Sequence, residues 1–202
     1  MERSGDGGDA ACGCGLWRGA RLRGGAWFAV AGHPVSGVYR ASARVFRPWK
    51  NGGGTTAEIL CWPEGAGFDD FTLRLSTARV AASGPFSAFP GVDRVLTVIE
   101  GGAMVLHLEG RAQALAPLVP FAFAGDVACR AEVTGPLLDF NVMTRRPSLA
   151  RVVAGPLDPA ARFALLLAPV AGLARLDLVD LAAVGPGLRA DLRGAPAVAV
   201  EI

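Results

Sequence analysis

The stretch Phe71-Thr72-Leu73-Arg74-Leu75-Ser76 alternates apolar and polar residues one by one. A similar alternation recurs in the segment Met104-Val105-Leu106-His107-Leu108-Glu109. A period of two places successive side chains on opposite faces of a strand, so both segments are predicted to be half-buried β-strands. Arg94-Val95-Leu96-Thr97-Val98-Ile99 is more continuously apolar and predicts a strand that is buried on both faces. The three segments together indicate an all-β protein.

Turn signals separate these segments at short intervals, which is typical of an antiparallel sandwich or barrel. They are Ser83-Gly84-Pro85, Phe89-Pro90-Gly91, Gly101-Gly102, Gly125-Asp126 and Gly135-Pro136. Further along the chain, Asp158-Pro159 resembles a helix cap followed by a first-turn proline, and predicts a short helix over residues 160–167. Residues 176–181 and 197–202 are predicted to be strands, divided by a turn at Gly185-Pro186-Gly187.

The composition excludes several classes of protein. The chain has 202 residues, of which 51% are hydrophobic and 19% charged, and its formal net charge is +2. A disordered chain would be richer in charge, and a nucleic-acid-binding protein would carry a strong basic patch. This chain has no such patch, so we expect no nucleic-acid partner. No apolar run is long enough to span a bilayer or to form a signal-peptide core, so we expect no membrane partner. The four cysteines show neither a C-x-x-C arrangement nor the density of a secreted disulfide scaffold, so we predict reduced thiols and a cytoplasmic location.

The densest local signal is Pro48-Trp49-Lys50-Asn51-Gly52-Gly53-Gly54-Thr55-Thr56-Ala57-Glu58-Ile59. Three consecutive glycines allow a ligand to approach backbone N–H groups, and Lys50, Asn51 and Glu58 lie around them. The stretch has neither the Walker nor the dinucleotide-binding spacing. Two interpretations remain open at this point, a loop that binds an anion or carboxylate and a flexible loop that leads into a strand.

This stretch closely resembles the signature of the HutD/Ves family. Further blocks follow in the same order: Gly84-Pro85-Phe86-Ser87, residues 89–94, Glu100-Gly101, residues 121–126 and residues 139–146. The resemblance is strong over residues 40–150 and faint elsewhere. It implies a cupin-like double-stranded β-helix barrel in a bicupin arrangement, with residues 39–150 as the first barrel and residues 151–202 as a second, degenerate half. Residues 1–38 are Gly-rich and are predicted to be a disordered extension.

The resemblance also implies a function. HutD proteins are associated with histidine utilisation, where they are thought to bind a small acidic metabolite such as formylglutamate or urocanate and to moderate the pathway; no established reaction goes with them. One position departs from the family pattern, because Ala57 stands where members commonly carry arginine. If that arginine contacts a carboxylate ligand, affinity or specificity differs here. Cupins often dimerise, so a homodimer is also compatible with the resemblance.

Catalytic and metal-dependent alternatives find less support in the residues. Only His33 and His107 are available, so no centre with several histidines can form, and we predict no metal and no cofactor. No nucleophile elbow and no Cys-His arrangement is recognisable. Glu58 and Asp139 are compatible with chemistry that needs two carboxylates. A carboxylate-based lyase, isomerase or hydrolase of unknown substrate therefore remains the alternative to a binding protein.

Barrel interiors are natural sites for small ligands, lined by apolar groups and a few fixed polar ones. Lys50 and Arg74 are predicted to attract a carboxylate, and Asn141 to contact an amide or formyl oxygen. Several charged residues also have a structural interpretation. Arg74 is compatible with a solvated strand residue. The pattern Asp93-Arg94 favours a local structural pair, and Arg145-Arg146 favours a solvated charge pair. The full predicted ligand-binding set is Lys50, Asn51, Gly53, Glu58, Arg74, Asp139 and Asn141.

Overall fold

The computed structural model describes residues 37–158 and 160–202, and within them the chain is almost entirely β-structure. The first eight strands are β1 (Val38–Tyr39), β2 (Arg47–Pro48), β3 (Gly54–Trp62), β4 (Leu73–Val80), β5 (Gly84–Phe86), β6 (Val92–Gly101), β7 (Met104–Leu108) and β8 (Arg111–Leu115). The others are β9 (Phe121–Ala124), β10 (Cys129–Val133), β11 (Leu137–Arg145), β12 (Arg151–Pro156), β13 (Phe163–Leu166), β14 (Leu178–Asp180) and β15 (Pro196–Glu201). A short helix, α1 (Pro186–Asp191), and a 3₁₀ turn at Ala41–Ala43 complete the described elements.

Three antiparallel sheets are stacked in sequence. A six-stranded sheet in the order β2-β3-β4-β11-β6-β9 lies in the middle, and a four-stranded sheet in the order β5-β10-β7-β8 packs on one of its faces. The core between these two sheets, here the barrel core, includes Leu96, Met104 and Leu106. The predicted all-β class with a cupin-like barrel is confirmed.

A five-stranded sheet in the order β1-β14-β13-β15-β12 covers the other face of the six-stranded sheet. The core between them, here the inter-sheet core, includes Leu75, Phe140, Val142, Leu165 and Val198. Neighbouring residues of β4 and β11 therefore point into different cores, as the pleat of a strand requires. The predicted half-buried alternation of residues 71–76 becomes burial on both sides, because the third sheet covers the face that alternation alone would leave to water.

The C-terminal segment forms part of one sheet. Strands β12 to β15 assemble with β1 into the five-stranded sheet, so Val38 and Tyr39 pair with residues of β14. This sheet packs on the barrel through one face and on α1 and its flanking loops through the other. The bicupin arrangement is not confirmed. Residues 1–36, which hold almost all of the predicted Gly-rich extension together with Cys12, Cys14 and His33, lie outside the described residues.

Two local predictions are wrong. The helix predicted over residues 160–167 is a turn followed by strand β13, because Phe163 to Leu166 are buried on both faces between neighbouring strands. The turn predicted at residues 185–187 instead begins α1, with Gly185 at the N-cap and Pro186 in the first turn, a position that suits proline. No helix in the described part of the chain is long and apolar enough to cross a membrane.

Candidate functional site

The glycine-rich motif forms a tight hairpin between β2 and β3. The N–H of Gly52 donates to the carbonyl of Trp49 at 3.1 Å, and the N–H of Gly53 donates to Oδ1 of Asn51 at 3.0 Å. A Cβ at Gly54 would lie 2.5 Å from the carbonyl oxygen of Arg79, so only glycine fits there. Because these N–H groups are satisfied within the loop, the hairpin has a structural explanation that needs no bound anion.

The hairpin residues of the predicted site are separated from its strand residues. Asn51 donates to the carbonyl of Pro85 at 3.5 Å, which links the hairpin to β5, and Lys50 is exposed at its tip. Glu58 lies four residues beyond Gly54 along β3, a distance of about 13 Å at the rise of an extended strand. The structure therefore does not bring Lys50, Asn51 and Gly53 together with Glu58.

Two arginines flank one methionine on the barrel face of the six-stranded sheet. In the strand register, Met143 of β11 lies between Arg74 of β4 and Arg94 of β6. Two strand spacings separate the Cα atoms of the arginines by about 10 Å, within reach of two long side chains that converge. Arg74 is 8% exposed and Arg94 5% exposed. Buried arginines are rare unless they are paired, so this row is the chemically unusual part of the barrel.

Arg74 has a carboxylate partner. Its Nε donates to Oε2 of Glu58 at 2.8 Å, and the ring of Phe68 lies 5.0 Å from the guanidinium carbon. Nη1 of Arg74 also makes long contacts with Oγ of Ser76 and Sδ of Met143, at 3.4 and 3.7 Å. The Glu58 side chain is 39% exposed, so the pair lies at the mouth of the barrel. The interpretation of Arg74 as a solvated strand residue is wrong.

Arg94 makes no ion pair with a carboxylate of the described residues. Three phenylalanine rings surround its guanidinium carbon, Phe86 and Phe89 at 5.5 Å and Phe123 at 5.0 Å. Nη1 donates to the carbonyl of Ser87 at 3.5 Å, and Nε has no hydrogen-bond partner. Burial lowers the pKa of Arg94, while the negative charge of Asp139 opposes that shift. Within the described part of the chain, Arg94 is therefore a buried cation whose polar atoms are only partly satisfied.

Asp139 lies on the same face of β11 as Met143, four residues or two strand repeats further into the barrel. The residue is 2% exposed, and its Oδ1 has no hydrogen-bond partner. Burial raises the pKa of Asp139 to about 7, although the charge of Arg94 and a hydrogen bond from the backbone of Ala78 act in the opposite direction. The barrel interior thus holds an acid that titrates near neutral pH.

Asn141 lies in the same cross-strand row as Glu58 and two residues from Asp139 along β11. It pairs with Ser76 of β4, which in turn pairs with Glu58 of β3. Its Oδ1 is buried without a partner. The structure thus places four predicted residues, Glu58, Arg74, Asp139 and Asn141, on the barrel face of three neighbouring strands.

Ala57 lies on the other side of the same strand. It pairs with Thr77 and is fully buried, while the adjacent Glu58 reaches Arg74 in the barrel. Successive side chains of a strand point to opposite faces. A side chain at position 57 therefore has no direct path to a ligand in the barrel, and the predicted effect of this substitution on affinity could only be indirect.

The space at the barrel mouth is small. A cavity of about 10 Å³ is lined by Glu58, Cys61, Ala66, Gly67, Phe68 and Arg74, which is room for about one water molecule. A wider cleft of about 300 Å³ lies at the edge of the six-stranded sheet and is lined by Asp93, Arg94, Val95, Ala122, Phe123, Thr144, Leu149 and Ala150. Val95 and Ala150 pack against the inter-sheet core whereas Arg94 and Phe123 belong to the barrel face, so this cleft has lining residues from both faces of the sheet.

Other candidate groups have structural partners. His107 lies 3.0 Å from a carboxylate oxygen of Glu132 across neighbouring strands. Among the residues that the structure describes, no cluster of three or more His, Cys, Asp or Glu side chains is arranged to hold a metal ion. Burial raises the pKa of the Cys129 thiol, which lies close enough to Arg94 to feel its charge. Neither group adds a nucleophile to the barrel.

Arg94 is the residue that sequence reasoning missed. It does not pair with its neighbour Asp93, because Asp93 contacts Nε of Arg146 at 3.5 Å on the other face of the sheet. Arg145 is likewise not a solvated partner of Arg146, since its guanidinium donates to the carbonyls of Phe68 and Phe71. The available signal was the spacing of Val92, Arg94, Leu96 and Val98, which places arginine on a face that is otherwise entirely apolar.

The HutD family model matches residues 41–164, which include the hairpin, both arginines and the whole barrel. The chain belongs to the HutD family. The match extends past residue 150 into β13, so it covers part of the C-terminal sheet.

Two solved structures support this assignment. One is the structure of HutD from Pseudomonas fluorescens SBW25 in a formate condition, which is 35% identical to this chain. The match covers 81% of this chain and 92% of that chain, with a TM-score of 0.60. The conserved protein of unknown function PA5104 from Pseudomonas aeruginosa PAO1 is 31% identical, with 81% and 89% covered and a TM-score of 0.62. Each match covers 81% of this chain, so both extend beyond the barrel into the C-terminal part of the chain.

Proposed function

We propose that this HutD-family protein binds a small metabolite bearing a carboxylate in the barrel, against Arg94 and Arg74. The observation that carries the proposal is the state of Arg94, which is 5% exposed and makes no ion pair with any described carboxylate. A buried guanidinium without a contacting countercharge is costly, and a bound carboxylate would supply both charge and two acceptor oxygens. Arg74 already donates to Glu58, so we expect it to contribute positive potential and part of the wall of the site, while Arg94 makes the primary contact with the ligand.

The ligand class follows from the surroundings of Arg94. Three phenylalanine rings favour a compact or planar anion over a strongly hydrated one such as phosphate. The description of the P. fluorescens relative names formate, the smallest carboxylate. Formylglutamate and urocanate both carry carboxylates, and we propose this class as the ligand and histidine or amino-acid catabolism as the setting. A binding and modulating role fits better than catalysis by two carboxylates, because Glu58 is already held in an ion pair with Arg74 at 2.8 Å.

Arg94 lines the wider cleft of about 300 Å³, but a ligand that also reaches Arg74 requires part of the barrel mouth to move. The cavity at the mouth holds about one water molecule, and Phe68 covers it from the loop between β3 and β4. This loop contains Gly65, with φ of +80°, and Gly67, and most of its residues are exposed. Arg145 donates to the carbonyl of Phe68 at 2.9 Å, and the ring of Phe68 packs on that of Phe89 with 5.8 Å between centroids, so both contacts must break before the ring leaves Arg74.

The experiment is a thermal-shift titration with formate, glutamate, formylglutamate and urocanate. A ligand at one hundred times its dissociation constant stabilises the folded state by about 2.7 kcal/mol. For a chain of this size that corresponds to an increase in Tm of roughly 5–10 °C. We expect at least one of the acids to produce it.

Variants then locate the site. Arg94→Met should abolish the shift, Arg74→Met should weaken it, and Arg111→Met, on the exposed edge strand β8, should leave it unchanged. Lys50→Ala should also leave it unchanged, because the hairpin lies about 13 Å along β3 from Glu58. Absence of a shift with every acid, or a shift that survives Arg94→Met, would overturn the proposal. Loss of the shift in Lys50→Ala would return the ligand to the hairpin.

A further inference from the structure

Asp139 is an unusual residue to find at the bottom of an anion site. It is 2% exposed, its Oδ1 has no hydrogen-bond partner, and none of the ion pairs among the described residues includes it. Its charge nevertheless acts on Arg94, and that of Arg94 acts on it. Two opposite charges thus share the barrel interior without touching. One negative group beside Arg94 is favoured by the charge of Arg94, but a second negative group in the same interior is strongly disfavoured by repulsion from the first.

We propose that Asp139 sets the charge selectivity of the barrel, so that a carboxylate binds beside Arg94 only when Asp139 is protonated, and binding takes up one proton. The inference rests on the proposed function of the same site. The ligand carboxylate replaces Asp139 as the countercharge of Arg94. The proton comes from solvent and stays on the Asp139 carboxyl, so the net charge of the barrel interior is the same before and after binding.

The other charged groups that face the barrel do not perform this role. Arg74 and Glu58 neutralise each other at 2.8 Å, and the carboxylate of Glu58 is partly hydrated. Burial raises the pKa of the Cys129 thiol, which keeps the thiol neutral beside Arg94. Arg145 donates hydrogen bonds to backbone carbonyls of the loop between β3 and β4. The groups considered are Glu58 on β3, Arg74 on β4, Arg94 on β6, Cys129 on β10 and Arg145 on β11.

The balance between Arg94 and Asp139 therefore determines the net charge that a ligand meets. With Asp139 ionised, that charge is close to zero and an incoming anion is repelled by a buried carboxylate. With Asp139 protonated, Arg94 is uncompensated and attracts the anion. Because burial raises the pKa of Asp139 to about 7, the change falls within the physiological range.

The test measures formate affinity of the full chain by NMR titration between pH 5.5 and 8.5, where formate itself stays ionised. We expect the affinity to be constant below pH 6.5 and to fall by five- to tenfold per pH unit above pH 7.5. Asp139→Asn should remove this dependence and hold the affinity at its low-pH value. Asp191→Asn, at the exposed end of α1, is the matched control and should keep the wild-type profile.

A second measurement on the unmutated protein avoids dependence on the folding of the variant. Calorimetry at pH 7.5 in two buffers of different ionisation enthalpy counts the protons taken up, and the expected count is between 0.5 and 1 per formate. A pH-independent affinity together with a count of zero would overturn the role of Asp139 and leave carboxylate binding intact. No formate binding at any pH, pH 5.5 included, would overturn the coupling to Asp139, and carboxylate binding would be overturned with it only if glutamate, formylglutamate and urocanate also failed to bind.

Discussion

The two faces of the six-stranded sheet are equally well buried but carry different chemistry. The face toward the C-terminal sheet is formed by apolar side chains such as Leu75, Phe140 and Val142. The face toward the barrel carries Arg74, Arg94 and Asp139, all of them under 10% exposed. The same strands supply both faces, because their residues alternate between them.

This difference separates stability from ligand chemistry at the level of single residues. Burial of apolar side chains stabilises the fold, whereas burial of charges with incomplete partners costs free energy. The apolar face can therefore support a barrel face that is poorly satisfied in the absence of ligand. The comparison teaches that residue i can be essential for folding while residue i+1 of the same strand is dispensable for it.

The largest expected effect tests the apolar face. Phe140→Ala should reduce the free energy of unfolding by about 3–5 kcal/mol, because it removes a fully buried ring from the inter-sheet core and leaves a cavity. Urea denaturation measures the change. Leu149→Ala, at a residue 71% exposed, is the control and should cost less than about 0.5 kcal/mol. A loss below about 1 kcal/mol for Phe140→Ala would mean that the C-terminal sheet does not support the barrel.

The next effect tests the charged face and has the opposite sign. The folded-state pKa of Asp139 is raised above its ordinary value of 3.8 to about 7, so the folded protein binds more protons than the unfolded chain between these values. Stability contributed by the protonated carboxyl is complete below pH 3.8 and decreases as the pH rises through 7. Asp139→Asn should therefore stabilise the protein at pH 8, by roughly 1–3 kcal/mol.

The pH dependence distinguishes this explanation from simple repacking. At pH 5 the folded Asp139 is protonated while the unfolded one is already ionised, and at pH 8 both are ionised, so the gain from Asp139→Asn should be smaller at pH 5 than at pH 8 by roughly 2 kcal/mol. Urea denaturation at pH 5 and pH 8 gives both values. A gain of equal size at the two pH values, or a destabilisation at pH 8, would show that Asp139 is not a buried charge of the folded state.

The alternation of the two faces could be read from the sequence, but the identity of the charged face could not. The period of two in residues 71–76 correctly predicts strand structure, and Arg74 was placed among the site residues on chemical grounds. Its burial depends on Glu58 and Phe68, which reach it from β3 and from the loop that follows. A single strand contains no information about such partners.

Arg94 and the hairpin show why other parts of the site were not predictable. Arg94 was interpreted through its sequence neighbour Asp93, yet Asp93 finds its partner in Arg146, more than fifty residues away. The three glycines of the hairpin suggested anion binding, but Gly54 is required by the approach of the Arg79 carbonyl on β4. In both cases a contact between distant segments overrides the local pattern. The helix predicted near residue 163 failed for the same reason, because pairing with β14 and β15 determines that strand.

The smallest expected effect concerns the few polar atoms that remain on the apolar face. Thr77 and Thr97 flank Phe140 in the register, both are fully buried, and neither hydroxyl has a hydrogen-bond partner. Each therefore pays the cost of desolvation without compensation. Thr97→Val keeps the shape of the side chain and removes the unpaired hydroxyl, so it should increase the free energy of unfolding by about 0.5–1.5 kcal/mol.

Ser76→Ala is the matched change on the barrel face. The Ser76 hydroxyl contacts Arg74 at 3.4 Å, so its removal should be neutral or slightly destabilising, within about 0.5 kcal/mol. Urea denaturation of the two variants measures the difference between the faces directly. If Thr97→Val is destabilising instead, a polar partner must reach Thr97 between the sheets, and the face toward the C-terminal sheet would not be a purely apolar support. A stabilising Thr97→Val together with a neutral Ser76→Ala would confirm that buried hydroxyls are compensated by polar contacts on the barrel face and not on the face toward the C-terminal sheet.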